Sequence, residues 1–292
     1  MKARVLSNIS GEFAIYDLDS KTTLIAKARG VFRNNKTNVK VGDIVEYTEG
    51  DPHAIITKVE DRKNDFIRPT VANIDQAFVV TSLKEPDINT NLLDRIITIF
   101  EYQSIVPILI FSKSDLLEKI EYDEAMSIVN YYKSIGYNTI ITSKEHPLTI
   151  NTLIPFIKDK VSVFAGQSGV GKSSILNIID ETIKLDTNEI SKALNRGKHT
   201  TRFTKLFNVK DGWLADSPGF GTMDLIDMEK IDVAHSFTEF FHLSSKCKFN
   251  GCLHLNEPSC AVKKALDDNI ILKSRYENYQ QFLKEIDAKR KW

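Results

Sequence analysis

An α/β fold, built as a circularly permuted phosphate-loop domain between an N-terminal OB-type β-barrel and a C-terminal helical zinc-binding domain, is what this 292-residue sequence predicts. Three features predict it. The string Gly166-Gln167-Ser168-Gly169-Val170-Gly171-Lys172-Ser173 fits the phosphate-loop pattern G-x-x-x-x-G-K-[ST]. It lies between a strand-like run, Val161-Ser-Val-Phe-Ala165, and a helix-like run, Ser174-Ile-Leu-Asn-Ile-Ile179, the context that makes such a match credible. The one segment suited to reading a base, Ser112-Lys113-Ser114-Asp115, stands well upstream of that loop. This reverses the usual order and marks a circular permutation. Finally, all three cysteines fall in one short window beside a histidine.

Composition narrows the classes. Hydrophobic residues make up 42%, ample for packed cores, and acidic and basic residues balance at 39 each, so nucleic-acid contact has to come from local patches. No run reaches the length of a membrane span, and the stretch Met1-Lys-Ala-Arg-Val-Leu-Ser lacks a signal-peptide core. The expectation is a cytoplasmic protein without membrane contact. Three clustered cysteines cannot form a paired disulfide framework, and a reducing compartment favours metal ligation for them.

In chain order, residues 1–70 read as short strands at 13–18, 23–26, 43–47 and 54–59, punctuated by Gly and Asp-Pro. That pattern indicates a small barrel, expected to be an OB-type RNA-binding domain. Lys27, Arg29, Arg33, Lys36 and Lys40 occur without an acidic residue among them, which makes a solvated loop or an RNA contact of that segment. Residues 71–228 alternate strand and helix. The runs at 74–80 and 105–111 are almost continuously apolar, as strands buried on both faces are, while 92–100 has helical spacing. The segment 150–157 also reads as a helix. Residues 229–292 form the helical part that carries the Cys/His cluster.

Each motif has its chemistry. Backbone N–H groups of the glycine-rich loop converge on phosphate oxygens, helped by the dipole of the helix that follows, whose first turn includes Ser174. Lys172 reaches the β- and γ-phosphates and Ser173 ligates Mg²⁺. Asp216-Ser-Pro-Gly219 follows a strand-like run in D-x-x-G form, so Asp216 supports the Mg²⁺ shell and the Gly219 N–H contacts the γ-phosphate. Between the loop and Asp216, the stretch 195–202 offers Thr200 or Thr201 as the hydroxyl that closes over Mg²⁺. Upstream, Asp115 can accept two hydrogen bonds from guanine N1 and N2, and the Lys113 stem can cover the base. Ser112 stands where an Asn is usual. Thr142 and Ser143, at the end of the next strand, fit a segment whose backbone meets guanine O6. Phe220 occupies the place where many GTPases put a water-orienting Gln, and His199 is the expected substitute. Cys247, Cys252, His254 and Cys260 complete a closed tetrahedral Cys₃His set, which indicates one structural zinc. With few apolar residues expected around it, that region should need the metal to fold.

Taken in order, the base reader, phosphate loop, threonine loop and D-x-x-G between a barrel and a Cys-x4-Cys-x-His-x5-Cys segment resemble the RsgA family, also called YjeQ or YloQ. The likeness includes Arg68-Pro69, Asn73-Ile-Asp-Gln76, Arg196-Gly-Lys-His-Thr-Thr201, Cys260-Ala-Val-Lys263 and Arg275-Tyr-x-x-Tyr279. The resemblance implies a ribosome-dependent GTPase of late small-subunit maturation that binds rRNA through its barrel and zinc domains. Its partners are then GTP or GDP with Mg²⁺, and the small ribosomal subunit, and the protein is expected to be a monomer. A phosphate-loop ATPase or kinase with an RNA-binding barrel is the alternative, for which Asp115 would be incidental.

Overall fold

The computed structural model of the chain describes residues 1–29, 38–66, 69–179, 204–216, 224–225 and 228–289. Its first strands are β1 (Lys2–Ile9), β2 (Glu12–Asp17), β3 (Thr23–Ala28), β4 (Ile44–Thr48), β5 (Ala54–Val59), β6 (Asp65–Phe66) and β7 (Val71–Ala72). There follow β8 (Gln76–Ser82), α1 (Thr90–Tyr102), β9 (Val106–Ser112), α2 (Lys119–Ser134), β10 (Asn138–Ile141) and α3 (Ile154–Ile157). Next come β11 (Val161–Ala165), α4 (Lys172–Ile179), β12 (Lys205–Val209) and β13 (Gly212–Asp216). The C-terminal helices are α5 (Lys230–Ser236), α6 (Thr238–Ser244), α7 (Ala261–Asp267) and α8 (Lys273–Lys289). The chain packs as two compact units, one of Met1–Ala77, Ile150–Phe164 and Ser173–Phe220, the other of Phe78–Thr149, Ala165–Lys172 and Gly221–Trp292.

In the first unit, β1 to β5 pair in the order β1-β2-β3-β5-β4, and β4 returns to β1 to close the five-stranded OB-type barrel. Alternating residues point inward, so Val5, Phe13, Ile15, Val45, Tyr47 and Ile56 form its core. The buried Tyr47 hydroxyl donates to Asp17 at 2.8 Å. The Ser20 amide and that hydroxyl pull the Asp17 carboxyl down to about 2. β1 was not among the sequence-predicted strands. It pairs with three neighbours: β2 along its length with a register shift between Val5 and Ser7, β4 at its start, and β12 where Ser7 lies opposite Lys205.

The α/β part of this unit has β11 parallel to β13, with β12 antiparallel to β13. The β12–β13 turn places Lys210 and Asp211 both at positive φ, 50° and 62°, the conformation that matches the twist of a tight hairpin. Gly212 is required next, because a Cβ there would lie 1.9 Å from the Ile157 carbonyl oxygen. Tyr16 of the barrel meets Trp213 edge-on, ring centres 4.9 Å apart. The Asn73-Ile-Asp-Gln76 motif fastens the junction. Asn73 accepts from Lys63 N and donates to Gly42 O, Asp75 accepts from Val161 N, and Gln76 donates to Ser162 Oγ. The expected helix over 150–157 is instead a 3-10 stretch, Pro147–Leu153, followed by the single turn of α3; Pro155 supplies no N–H to continue a regular ladder.

In the second unit the strands run in the order β10-β9-β8, with β9 and β10 parallel. Burial on both faces explains their unbroken apolar runs. α1 starts at Asn89, whose side chain accepts from Leu92 N, and a capping box of Glu118 and Glu121 starts α2. α5 and α8 pack on α1. Phe237, Phe240, Tyr279 and Phe282 are fully buried among these helices. The C-terminal region therefore has an aromatic core of its own, contrary to the expectation of few buried apolar residues.

Candidate functional site: a nucleotide cradle and a Cys₃His cluster

β11 runs directly into the phosphate loop, and α4 begins at Lys172. Gly166 has φ 132°, and a Cβ there would come within 2.0 Å of the Val80 carbonyl oxygen, so only glycine lets the loop lie against β8. Gln167, Ser168 and Gly169 are exposed and Val170 is buried, which leaves the crest of the loop open to a ligand. The Lys172 ammonium folds back to donate to Gly166 O at 2.7 Å and Gln167 O at 2.6 Å. Burial lowers its pKa to about 8. Ser173 and Ser174 follow in the first turn of α4, and Asp216 ends β13, where β13 lies parallel to β11.

The base-reading segment belongs to the same unit as the loop. β9 ends at Ser112, Lys113 turns the chain at φ 61°, and a 3-10 turn carries Ser114–Leu116. Ser112 is buried, and its hydroxyl donates to Val170 O of the phosphate loop at 2.6 Å. Lys144 N–H donates to Asp115 Oδ1 at 3.1 Å, while Ser114 N–H and its hydroxyl both donate to Thr142 O. His146 N–H donates to Ser143 Oγ, and the Lys113 ammonium to Glu85 O. Hydrogen bonds thus tie Ser112 to the phosphate loop, the Ser114 turn to Thr142, and Asp115 to the backbone of Lys144. His199, Thr200, Thr201 and Gly219, with the Asp216 side chain, lie outside the described residues.

Cys247, Cys252, His254 and Cys260 place their ligand atoms within 4.8 Å of one another. Cys247 Sγ is 3.7 Å from His254 Nδ1 and 4.0 Å from Cys260 Sγ, and His254 Nδ1 is 3.3 Å from Cys260 Sγ. Tetrahedral zinc with ordinary Zn–S and Zn–N bonds sets ligand atoms about 3.5 to 3.8 Å apart, so this donor set fits the ion. Burial pushes the Cys252 thiol up to about 12 and lowers His254. A divalent cation is what would draw such thiols into the thiolate form. The loop is held both from within and from outside. The Glu257 carboxylate accepts from Leu253 and Leu255 N–H, and the hydroxyls of Tyr276 and Tyr279 donate to the carbonyls of His254 and Leu253, each at 2.6 Å.

Comparison with known proteins agrees with this architecture. Residues 59–226 match the RsgA GTPase family model and residues 2–55 the RsgA N-terminal domain. The chain belongs to the RsgA GTPase family. It is 43% identical over 286 residues, 98% of this chain and 97% of the relative, to the small ribosomal subunit biogenesis GTPase RsgA of Bacillus cereus (strain ATCC 10987 / NRS 248). With the protein of that name from Bacillus subtilis (strain 168) it shares 40% over 289 residues, 98% of this chain and 97% of the relative. Among solved structures it is similar to YloQ, a circularly permuted GTPase (TM-score 0.85, 36% identity, 99% of this chain and 95% of that one). It is also similar to YjeQ from Thermotoga maritima (TM-score 0.85, 32% identity, 97% of each chain).

As an RsgA-family protein the chain is a ribosomal subunit biogenesis GTPase with a circularly permuted domain, which sets aside the ATPase or kinase alternative. The family implies Mg²⁺ with GTP. Two features of the fold were not legible in the sequence. Arg275 of the Arg275-Tyr-x-x-Tyr279 motif is buried between Asp94 of α1 and Glu239 of α6. The two tyrosines of the motif clamp the Cys/His loop to α8. In the barrel, Lys40 does not join a free basic loop: it pairs with Asp65 and donates to Phe66 O. Lys27 and Arg29 line a cavity of about 650 Å³ with Asn8, Glu12 and Phe13, and Lys27 pairs with Glu12 at 3.5 Å. Arg33 and Lys36 lie outside the described residues.

Proposed function

We propose that this GTPase acts in late maturation of the small ribosomal subunit, that the subunit stimulates its hydrolysis, and that hydrolysis releases it. The observation that carries the nucleotide reading is the pair of hydrogen bonds that fix the reader: Ser112 to Val170 O and Lys144 N–H to Asp115. They support a reading in which the Asp115 carboxylate selects guanine and the neighbouring Ser112 ties its segment to the phosphate loop. Asp115 selects guanine, and Thr142 and Ser143 present backbone toward O6. The N–H groups of Gly166 to Ser174 and the Lys172 ammonium hold the phosphates. Ser173, Thr201 and Asp216 would hold Mg²⁺, which supplies charge neutralisation on the phosphate oxygens when bound. Thr200, Thr201 and Gly219 close over the γ-phosphate, and His199 orients the attacking water.

The working division is 1–70 as the RNA-binding barrel, 71–228 as the GTPase domain and 229–292 as the zinc-binding helical domain. Lys27 and Arg29 beside the barrel cavity support an rRNA contact there, and the Cys₃His cluster supports one structural zinc. The relatives named for small-subunit biogenesis support the partner, and with it a cytoplasmic location; a monomeric working form belongs to the same reading. Among the described residues no helix is long and apolar enough to cross a membrane. Because Gly219 precedes α5 by a short segment, loss of the γ-phosphate contact relaxes the chain leading into the zinc domain. Co-sedimentation with small subunits at matched salt tests this. Affinity is expected to be at least about tenfold higher with a non-hydrolysable GTP analogue than with GDP, about 1.4 kcal/mol of bias. Equal affinities would remove the release step.

A further inference from the structure

Ser112 stands where an asparagine is usual in a guanine reader, and its environment defines what that exchange does. A serine hydroxyl has one proton to donate, whereas an asparagine amide has two. In this chain the Ser112 hydroxyl lies 2.6 Å from Val170 O, with Thr81 O farther away at 3.4 Å, and the residue is 4% exposed. Both neighbours are carbonyl oxygens, acceptors only, so the proton is committed to protein backbone. The peptide on either side is fixed too. Leu83 N–H donates to Ser112 O at 2.9 Å, and Thr142 N–H donates to Phe111 O at 2.8 Å. Ser112 therefore has neither a spare proton nor the freedom to swing toward a ligand.

Guanine presents donors at N1 and N2 and acceptors at O6 and N7. Asp115 is anchored through Oδ1 by Lys144 N–H and takes the donor edge, and the backbone at 142–144 meets O6. This assignment rests on the guanine reading above. We infer that Ser112 is a positioning residue that clamps the phosphate loop to the base reader, and that it donates no hydrogen bond to purine N7. The base reader then recognises guanine through the Watson–Crick edge, with no N7 contact from the position where an asparagine is usual.

The experiment is a set of calorimetric titrations of the full chain with GDP, 7-deaza-GDP, in which a C–H replaces N7, and ADP. The wild type should bind GDP and 7-deaza-GDP within about threefold of each other, and ADP far more weakly. Ser112→Asn supplies a second N–H. It should open a preference for GDP over 7-deaza-GDP of about five- to tenfold, the effect of one hydrogen bond. A purely structural role would leave that ratio unchanged. Ser112→Ala should weaken both nucleotides alike by about tenfold, because Val170 O loses its partner. A wild type that prefers GDP to 7-deaza-GDP by more than tenfold while rejecting ADP would overturn this inference and leave the guanine reading standing. Equal binding of ADP and GDP would overturn the guanine reading, and this inference with it.

Discussion

Arg275 of α8 donates from Nη1 to Asp94 of α1 at 2.5 Å, with both side chains out of solvent. The remaining bonds complete a closed network. Arg275 Nε and Nη2 go to Glu239, and Asp94 also accepts from Tyr132 and Asn278. Burial works against the charge on Arg275, but the Asp94 and Glu239 carboxylates outweigh it and raise its pKa well above the ordinary arginine value. The guanidinium also lies over the Phe237 ring at 4.2 Å. The helices that carry the Cys/His loop are thereby bonded to α1, so any motion after hydrolysis has to carry α1 along or be confined to the loop.

Removing one member of such a network leaves buried charge without a partner. Arg275→Ala should cost about 3 to 5 kcal/mol of stability in urea unfolding followed by circular dichroism. A cost under about 1 kcal/mol would mean that the ion pairs contribute little to docking.

Chelation should unfold residues 247–260 and spare the helices around them. Phe237, Phe240, Val262, Phe282 and Ile286 bury an apolar core that does not depend on the metal. Hydrogen exchange after zinc removal should thus show loss of protection in the loop, with α8 still protected. Fresh protein carrying much less than one zinc per chain would contradict the site itself.

Nucleotide binding should be linked to a proton on Lys172. Its pKa in the free protein is lowered to about 8, and phosphate oxygens at the ammonium would raise it. Below that value the lysine is already charged, so binding takes up no proton. Above it, the neutral amine must gain one and affinity falls as pH rises. Calorimetry in buffers of different ionisation enthalpy should show proton uptake at pH about 8.5 and none at about 6.5. Absence of uptake at the higher pH would place the lysine elsewhere in the complex.

Asp115→Asn should shift preference from guanine toward xanthine nucleotides, because the amide donates where the carboxylate accepted. Each charge-assisted hydrogen bond lost contributes about 1.5 to 3 kcal/mol. Competition binding that finds the guanine preference intact in this variant would remove Asp115 from the reader.

What could be read from the sequence follows from how local each device is. The phosphate loop and the Cys/His cluster are short continuous strings whose residue types state their chemistry. The apolar runs of β8 and β9 announced a sheet buried on both faces. Arg275 was visible within a motif, but its partner Asp94 lies 181 residues away, and no local pattern reports such a pair. β1 was missed because it pairs with three strands and its register against β2 shifts between Val5 and Ser7. The C-terminal core was underestimated because its aromatics are spread over α5–α6 and α8 and converge only in the fold. Ser112 read only as standing where an Asn is usual, because its tie to Val170 O depends on a loop 58 residues downstream.

Under the proposed function the small subunit switches on a slow GTPase. Phe220 follows Gly219 where a water-orienting side chain is common, so the free protein should turn over at about 10⁻⁴ to 10⁻² s⁻¹. The most direct measurement is phosphate release from GTP with the protein alone and with purified small ribosomal subunits, using ATP as control. At least about tenfold stimulation is expected with small subunits and none with large subunits, and His199→Ala should lose that stimulation while binding GTP normally. An equal rate with and without small subunits, in protein that binds GTP and carries zinc, would contradict the account.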